Sequence, residues 1–344
     1  MRQFLPLAAC LLPLPVMADV PRVVTDIPPV HALVALVMGD LGTPDLLLDR
    51  GANAHSFALR PSQAAGLQAA DLVVWVGPEM TPWLGRALDG IGGKAHRLEL
   101  LSAPGTFRRD FDDHAPHDHG DHAEGDHGAG HAGHDHGDHA QDDHGHDRKP
   151  AAAGDDHDHD HDHAHDHDHA HDGIDPHAWL DPANARVWLD LIAAELAEHD
   201  PVNAAAYAAN AAAARDGIAA LDARLAAELA PVQARPFVVF HDAYGYFAGH
   251  YGLTVGGSIS LGDASAPGAG HLQALKARMT EGGIVCAFPE AQHDPKLVQV
   301  LIEGTGVRVG PALDPSGSSL APGPELYAAL LTGLSANLRA CLAE

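Results

Sequence analysis

Basic residues are scarce in this chain: 20 Lys and Arg stand against 47 Asp and Glu in 344 residues, a formal net charge of −27. That shortage excludes nucleic acid as a partner, because neutralising phosphates needs a surplus of Lys and Arg. Cations are the natural ligands of such a surface. Long apolar runs are also missing beyond residue 18, where nothing approaches the roughly 20 uninterrupted apolar residues of a membrane span. Cysteine is nearly absent, with only Cys10, Cys286 and Cys341 in the whole chain.

The N-terminus does hold an apolar run, from Phe4 to Val16 behind Arg2, ending in Val16-Met17-Ala18 before Asp19. This is the pattern of a cleavable secretory signal, so residues 1–18 are expected to be removed and the mature chain, starting at Asp19, to reside in the periplasm. A lipoprotein box at Leu7-Ala8-Ala9-Cys10 competes, but the segment before it is very short and apolar residues continue past Cys10. Losing the signal leaves Cys286 and Cys341, an even pair in an oxidising compartment. A disulfide is the economical reading of that pair, and two buried free thiols are the alternative.

The length and the 46% hydrophobic content suit two domains with real cores. Short apolar runs alternate with amphipathic stretches, giving predicted strands near Val23–Thr25, Asp45–Leu48, Leu72–Val76 and Arg97–Leu100, then Phe237–Phe240, Leu253–Val255, Ile284–Phe288 and Val307–Val309. Such alternation with Pro and Gly at the joins predicts an α/β protein of two lobes, each a parallel sheet flanked by helices, at 19–200 and 231–344. In such sheets ligands sit beyond the carboxyl ends of the strands. Between the lobes, Pro182 to about Glu198 reads as a helix with Asp181 as N-cap. Pro201 to Leu229 reads as a second helix of roughly 29 residues, about 43 Å long, a rigid connector over 201–230.

Histidine is abundant, with 28 in all, and 19 of them fall within residues 112–173 together with 18 Asp. This insertion into the first lobe holds almost nothing apolar, so it is expected to stay a solvated loop without secondary structure. Its labile sites could gather metal, or it could merely act as a spacer. Of the other nine histidines, three stand in settings where loops meet strands: Ala54-His55-Ser56, Pro176-His177-Ala178 and Phe240-His241-Asp242. Zn²⁺ takes three or four N, O or S ligands, but the local spacing of these three is weak evidence by itself. His31, His96, His199, His250, His271 and His293 read as surface or helix-terminal residues.

Longer strings make the reading specific. They are Gly51-Ala52-Asn53-Ala54-His55-Ser56-Phe57-Ala58-Leu59-Arg60-Pro61-Ser62, Asp71-Leu72-Val73-Val74-Trp75-Val76-Gly77-Pro78-Glu79-Met80, the His/Asp-rich insertion, Asp175-Pro176-His177-Ala178-Trp179-Leu180 and Val239-Phe240-His241-Asp242-Ala243-Tyr244-Gly245-Tyr246-Phe247. On these, across nearly the whole mature chain, the sequence resembles the ZnuA family of zinc-binding subunits of ABC importers.

The resemblance implies two α/β lobes joined by a long helix, with Zn²⁺ in the interlobe cleft on His55, His177 and His241, and a Cys286–Cys341 disulfide. It also implies a monomer that serves a membrane permease and its cytoplasmic ATPase, with a periplasmic zinc chaperone as a further partner. For the fourth ligand, related importers use an acidic residue on a loop of the second lobe. Asp314 falls at that point, and water is its rival. Ala54 closes the option of an acidic residue beside the first histidine. Three imidazoles suit zinc better than manganese, which prefers oxygen, and ligation requires neutral imidazole, so affinity should fall below about pH 6.5. Two other classes compete: a zinc-dependent hydrolase, which no H-E-x-x-H helix supports, and a metal-sequestering or surface-attachment protein without a transporter.

Overall fold

In a computed structural model of the chain, residues 20–48, 50–90, 94–111, 173–260 and 267–344 are described. The expected signal at 1–18 and the expected insertion at 112–173, save Gly173, lie outside them. The first sheet takes β1 (Val23–Thr25), β2 (Asp45–Leu46), β3 (Leu72–Trp75) and β4 (His96–Glu99) in the order β2-β1-β3-β4, all parallel. Between its strands run α1 (Pro28–Met38), α2 (Pro61–Gln68) and α3 (Pro82–Gly90). Each opens on proline, whose fixed φ and missing N–H suit the first helical turn.

Two long helices follow, α4 (Pro182–His199) and α5 (Ala204–Leu229). Asp181 caps α4 by accepting from the Ala183 amide at 2.8 Å. The predicted start of α5 at Pro201 moves to Ala204, because Asp200 holds the intervening corner. Its carboxylate accepts from the Asn203 side chain at 2.6 Å and from the Tyr207 hydroxyl at 2.9 Å. The 26 residues of α5 span about 39 Å. Its buried face, Tyr207, Ala211, Ile218, Leu221, Leu225 and Leu229, recurs at helical spacing and packs against α1 and α4.

The second sheet takes β5 (Phe237–His241), β6 (Val255–Ser260), β7 (Cys286–Ala287) and β8 (Arg308–Val309) in the order β6-β5-β7-β8, again all parallel. Its helices are α6 (Gly245–Tyr251), α7 (Ala269–Glu281), α8 (Lys296–Ile302) and α9 (Leu326–Leu342), and α9 returns to pack on α5 and α1. A disulfide joins Cys286 of β7 to Cys341 in the last turn of α9, where Arg308 also donates to the Cys341 carbonyl at 2.6 Å. Among the described residues no helix is long and apolar enough to cross a membrane.

Side chains alternate across each strand, and the two faces join different cores. Val23, Leu72 and Val74 of the first sheet and Phe237, Val239 and Cys286 of the second belong to one continuous apolar cluster that also takes in α1, α4, α5, α6 and α9. The opposite faces close separate clusters: Val24, Val73 and Trp75 with α3, and Val238, Ile259 and Ala287 with α7 and α8. The lobes therefore share an interior, and the carboxyl ends of their strands are held facing a common site.

Candidate metal centre

His55 lies on the loop between β2 and α2. Asn53 shapes that loop, its side-chain oxygen accepting from the His55 amide at 2.8 Å and the Ser56 amide at 3.3 Å, an Asx turn. Trp83 of α3 anchors the loop from below, its indole donating to the Ala54 carbonyl at 2.6 Å while its ring packs on Phe57. His177 precedes a single 3-10 turn, Ala178–Leu180, whose Trp179 is fully buried. That indole donates to the Pro315 carbonyl of the second lobe at 2.8 Å, and Tyr327 of α9 donates to the Trp179 carbonyl at 2.8 Å. His241 is the last residue of β5, and so sits at a strand carboxyl end.

These three imidazoles line one cavity of about 30 Å³ together with Ala54, Met80, Trp179 and Glu290. The His177 ring centroid stands 5.9 Å from that of His55 and 5.4 Å from that of His241. Imidazoles bound to one tetrahedral ion at 2.0–2.1 Å would have centroids about 5.2 Å apart. His177 and His241 are both buried, and each has a buried carboxylate behind it. Asp175 accepts from the His177 Nδ1 at 2.7 Å and from its backbone amide at 2.9 Å, and Glu290 accepts from the His241 Nδ1. An ionised carboxylate only accepts, so Nδ1 carries the proton in both rings and Nε2 keeps its lone pair for a metal. Behind His241, burial first, and then the Glu290 and Asp314 charges, push the Tyr244 phenol well above its ordinary range and keep it neutral.

Asp314 is not among the residues that line the cavity. One of its oxygens accepts from the Ser318 amide and hydroxyl at 2.9 and 3.2 Å, and the other from the Ser319 amide and hydroxyl at 2.9 and 2.6 Å. The carboxylate closes its own loop. Two residues at this site were not foreseen from sequence. Glu290 orients His241, and His293, expected at the surface, lines the cavity 3.6 Å from Glu290 and stacks on Phe240 with ring centroids 4.2 Å apart. A carboxylate three residues past the end of β7 was the available signal for Glu290. His31 is buried rather than superficial, with its Nε2 3.1 Å from the Pro44 carbonyl.

The lobes meet in polar contacts beside the cavity. Arg109 of the first lobe donates its amide to the Tyr246 hydroxyl at 3.0 Å and its guanidinium to the Gly245 carbonyl, and Tyr246 donates to the Asp175 carbonyl at 3.0 Å. His250 of α6 bridges Asp181 at 2.9 Å and Asp222 of α5 at 2.8 Å. With a carboxylate on each nitrogen, and the Asp181 hydrogen bond the larger cause, its pKa rises to about 9.

Comparison with known proteins gives the family and the fold. The family model described as zinc-uptake complex component A, periplasmic, or ZnuA, matches residues 23–341. The high-affinity zinc uptake system protein ZnuA of Paracoccus denitrificans is 54% identical over 329 residues, covering 96% of this chain and 94% of that protein. Its namesake from Brucella suis is 37% identical over 325 residues, covering 94% and 92%. A zinc-bound crystal structure of a ZnuA lacking residues 138–173 superposes with a TM-score of 0.67 at 22% identity, covering 94% of this chain and 98% of that one. At that identity the likeness speaks for the fold.

Proposed function

The chain belongs to the ZnuA family of periplasmic zinc-uptake components, and from that premise we propose that it captures one Zn²⁺ on His55, His177 and His241 and delivers it to a membrane permease driven by a cytoplasmic ATPase. The observation that carries this reading is the convergence of three imidazoles from two lobes on one small cavity, two of them with Nδ1 tied to a buried carboxylate. Three nitrogen donors favour zinc over manganese. Water completes the coordination, because the Asp314 oxygens are already engaged by Ser318 and Ser319.

A cavity of about 30 Å³ takes an ion and its water but no organic substrate, for which roughly 300 Å³ or more is usual. Glu290, the carboxylate a hydrolase would need as its base, is committed to His241. Both favour binding over catalysis. The protein works as an exported monomer whose signal is cleaved before Asp19, its insertion at 112–173 collects zinc weakly, and a periplasmic zinc chaperone is a further partner. Because the lobes share a core and are tied by Arg109, Tyr246 and Trp179, metal loading involves limited closure.

The test is a calorimetric titration with zinc against equimolar manganese at pH 7.5 and 5.5. Zinc should take the tight site at pH 7.5 and bind more weakly at 5.5, where free imidazole is mostly protonated. Manganese in the site, or an affinity indifferent to pH, would overturn the three-histidine assignment.

A further inference from the structure

The first lobe carries a second constellation of metal donors that the cleft does not use. His96 is the first residue of β4, the outer strand of its sheet, and pairs in register with Leu72. It therefore lies at the amino end of that sheet, opposite the carboxyl ends that face the cleft. Glu195 and His199 lie four residues apart in the last turns of α4 and so share one face of that helix. The ligand atoms of His96, Glu195 and His199 all fall within 4.8 Å of one another. The His96 Nδ1 is 2.7 Å from Glu195 Oε2, and the two ring centroids are 5.7 Å apart. That spacing is within the range found among the three cleft imidazoles.

We propose that His96, Glu195 and His199 form a second, exchangeable binding site for Zn²⁺ or a similar divalent transition metal on the outer edge of the first lobe. Two imidazoles and one carboxylate are a donor set zinc accepts, with water in the open position. The same set is poor for Mg²⁺ and Ca²⁺, which require oxygen ligands throughout. Local electrostatics also favour a cation there. The carboxyl end of α4 carries the negative end of its macrodipole, Glu198 and Asp200 add charge, and Arg97, the next residue along β4, is turned onto Asp89 and the Leu88 carbonyl. In a tetrahedral site, donor atoms stand about 3.4 Å apart, so the side chains need close by little more than 1 Å. His96 is 53% exposed and free to do so.

The difference from the cleft is in preorganisation. In the cleft, buried carboxylates hold Nδ1 of His177 and His241 and leave Nε2 aimed inward. Here the carboxylate is itself a donor and the rings are exposed, so binding must immobilise two exposed imidazoles. The site therefore fills after the cleft and releases its ion more readily.

The test is site-resolved imidazole modification with diethyl pyrocarbonate on the full-length protein, read by peptide mass mapping as zinc chloride is raised beyond one equivalent. His96 and His199 should become protected together, by about tenfold or more at saturation, while magnesium protects neither. In His199→Ala, and separately in Glu195→Gln, zinc should no longer protect His96, with thermal melting checking that each variant is folded. The proposal is wrong if His96 stays reactive at saturating zinc, or if its protection is the same in both variants as in the parent chain.

Discussion

Both sheets run in the same strand order, and in each the order of strands reverses beside the first strand, opening a crevice at the carboxyl end where ligands usually sit. The first lobe fills that crevice from within. Asp26, directly after β1, is completely buried and accepts from the Ile27 amide at 2.8 Å, the Val76 amide at 2.9 Å and the Thr81 hydroxyl at 3.3 Å. Burial raises its pKa to about 6. In the second lobe His241 ends β5 and Glu290 follows β7, and the pair faces the cavity. A carboxylate turned onto backbone amides seals the crevice, while a carboxylate turned onto an imidazole opens it to a metal. The first lobe supplies its two imidazoles from loops instead.

Five outcomes would sharpen or break this contrast. The largest effect is expected from His241→Ala, which removes the second lobe's only proposed ligand. Zinc affinity should fall on the order of a thousandfold, since roughly 10–16 kcal/mol is shared by three or four ligands in a tight site. Competition against a chromogenic chelator measures this, and a larger loss in His55→Ala would show that the first lobe dominates. Next, replacing Cys286 and Cys341 together by serine should cost up to about 4 kcal/mol of unfolding free energy, from a closed loop with a sequence separation of 55. An unchanged denaturation midpoint would mean that the second lobe does not need its bridge.

Glu290→Gln should weaken zinc binding by about 10–100-fold, the usual effect of disturbing the partner of a ligating imidazole. Asp26→Asn should leave zinc binding alone and alter stability, and equal effects on affinity would erase the distinction drawn between the crevices. The smallest effect concerns His250, which joins the lobes through Asp181 and Asp222 and packs on Tyr251. A pKa raised from 6.5 to about 9 means its contribution is complete below about pH 6.5 and fades as pH rises through 9. His250→Ala should cost about 1 kcal/mol at pH 6, discounted for solvent screening, and almost nothing at pH 10. Melting curves at the two pH values decide it.

Much of the scaffold was legible in the sequence because the central strands are buried on both faces and read as unbroken apolar runs, as at Leu72–Trp75 and Phe237–Val239. β6 was harder to place. Expected at Leu253–Val255, it lies at Val255–Ser260, where two glycines hide its strand character. A Cβ at Gly256 would collide with the Ile284 side chain, and Gly257 adopts φ 148°. The site was only partly legible. His55, His177 and His241 stood out through the strings around them, and Asp175, which holds the His177 ring, stands only two residues before it, but what holds the His241 ring depends on a contact distant in sequence. His241 takes Glu290, 49 residues on, rather than an adjacent acid. For the same reason His96 and His199, solitary in the sequence, become neighbours only when β4 lies beside α4.

The single apolar cluster that runs through both sheets and ends on Leu338 and Leu342 of α9 has a consequence for biogenesis. Neither half has a finished hydrophobic interior until the last helix docks, so a chain emerging amino end first from an export channel stays unfinished until translocation is complete. A calorimeter should accordingly record one cooperative heat-absorption peak, and chaperone dependence should persist until α9 is released.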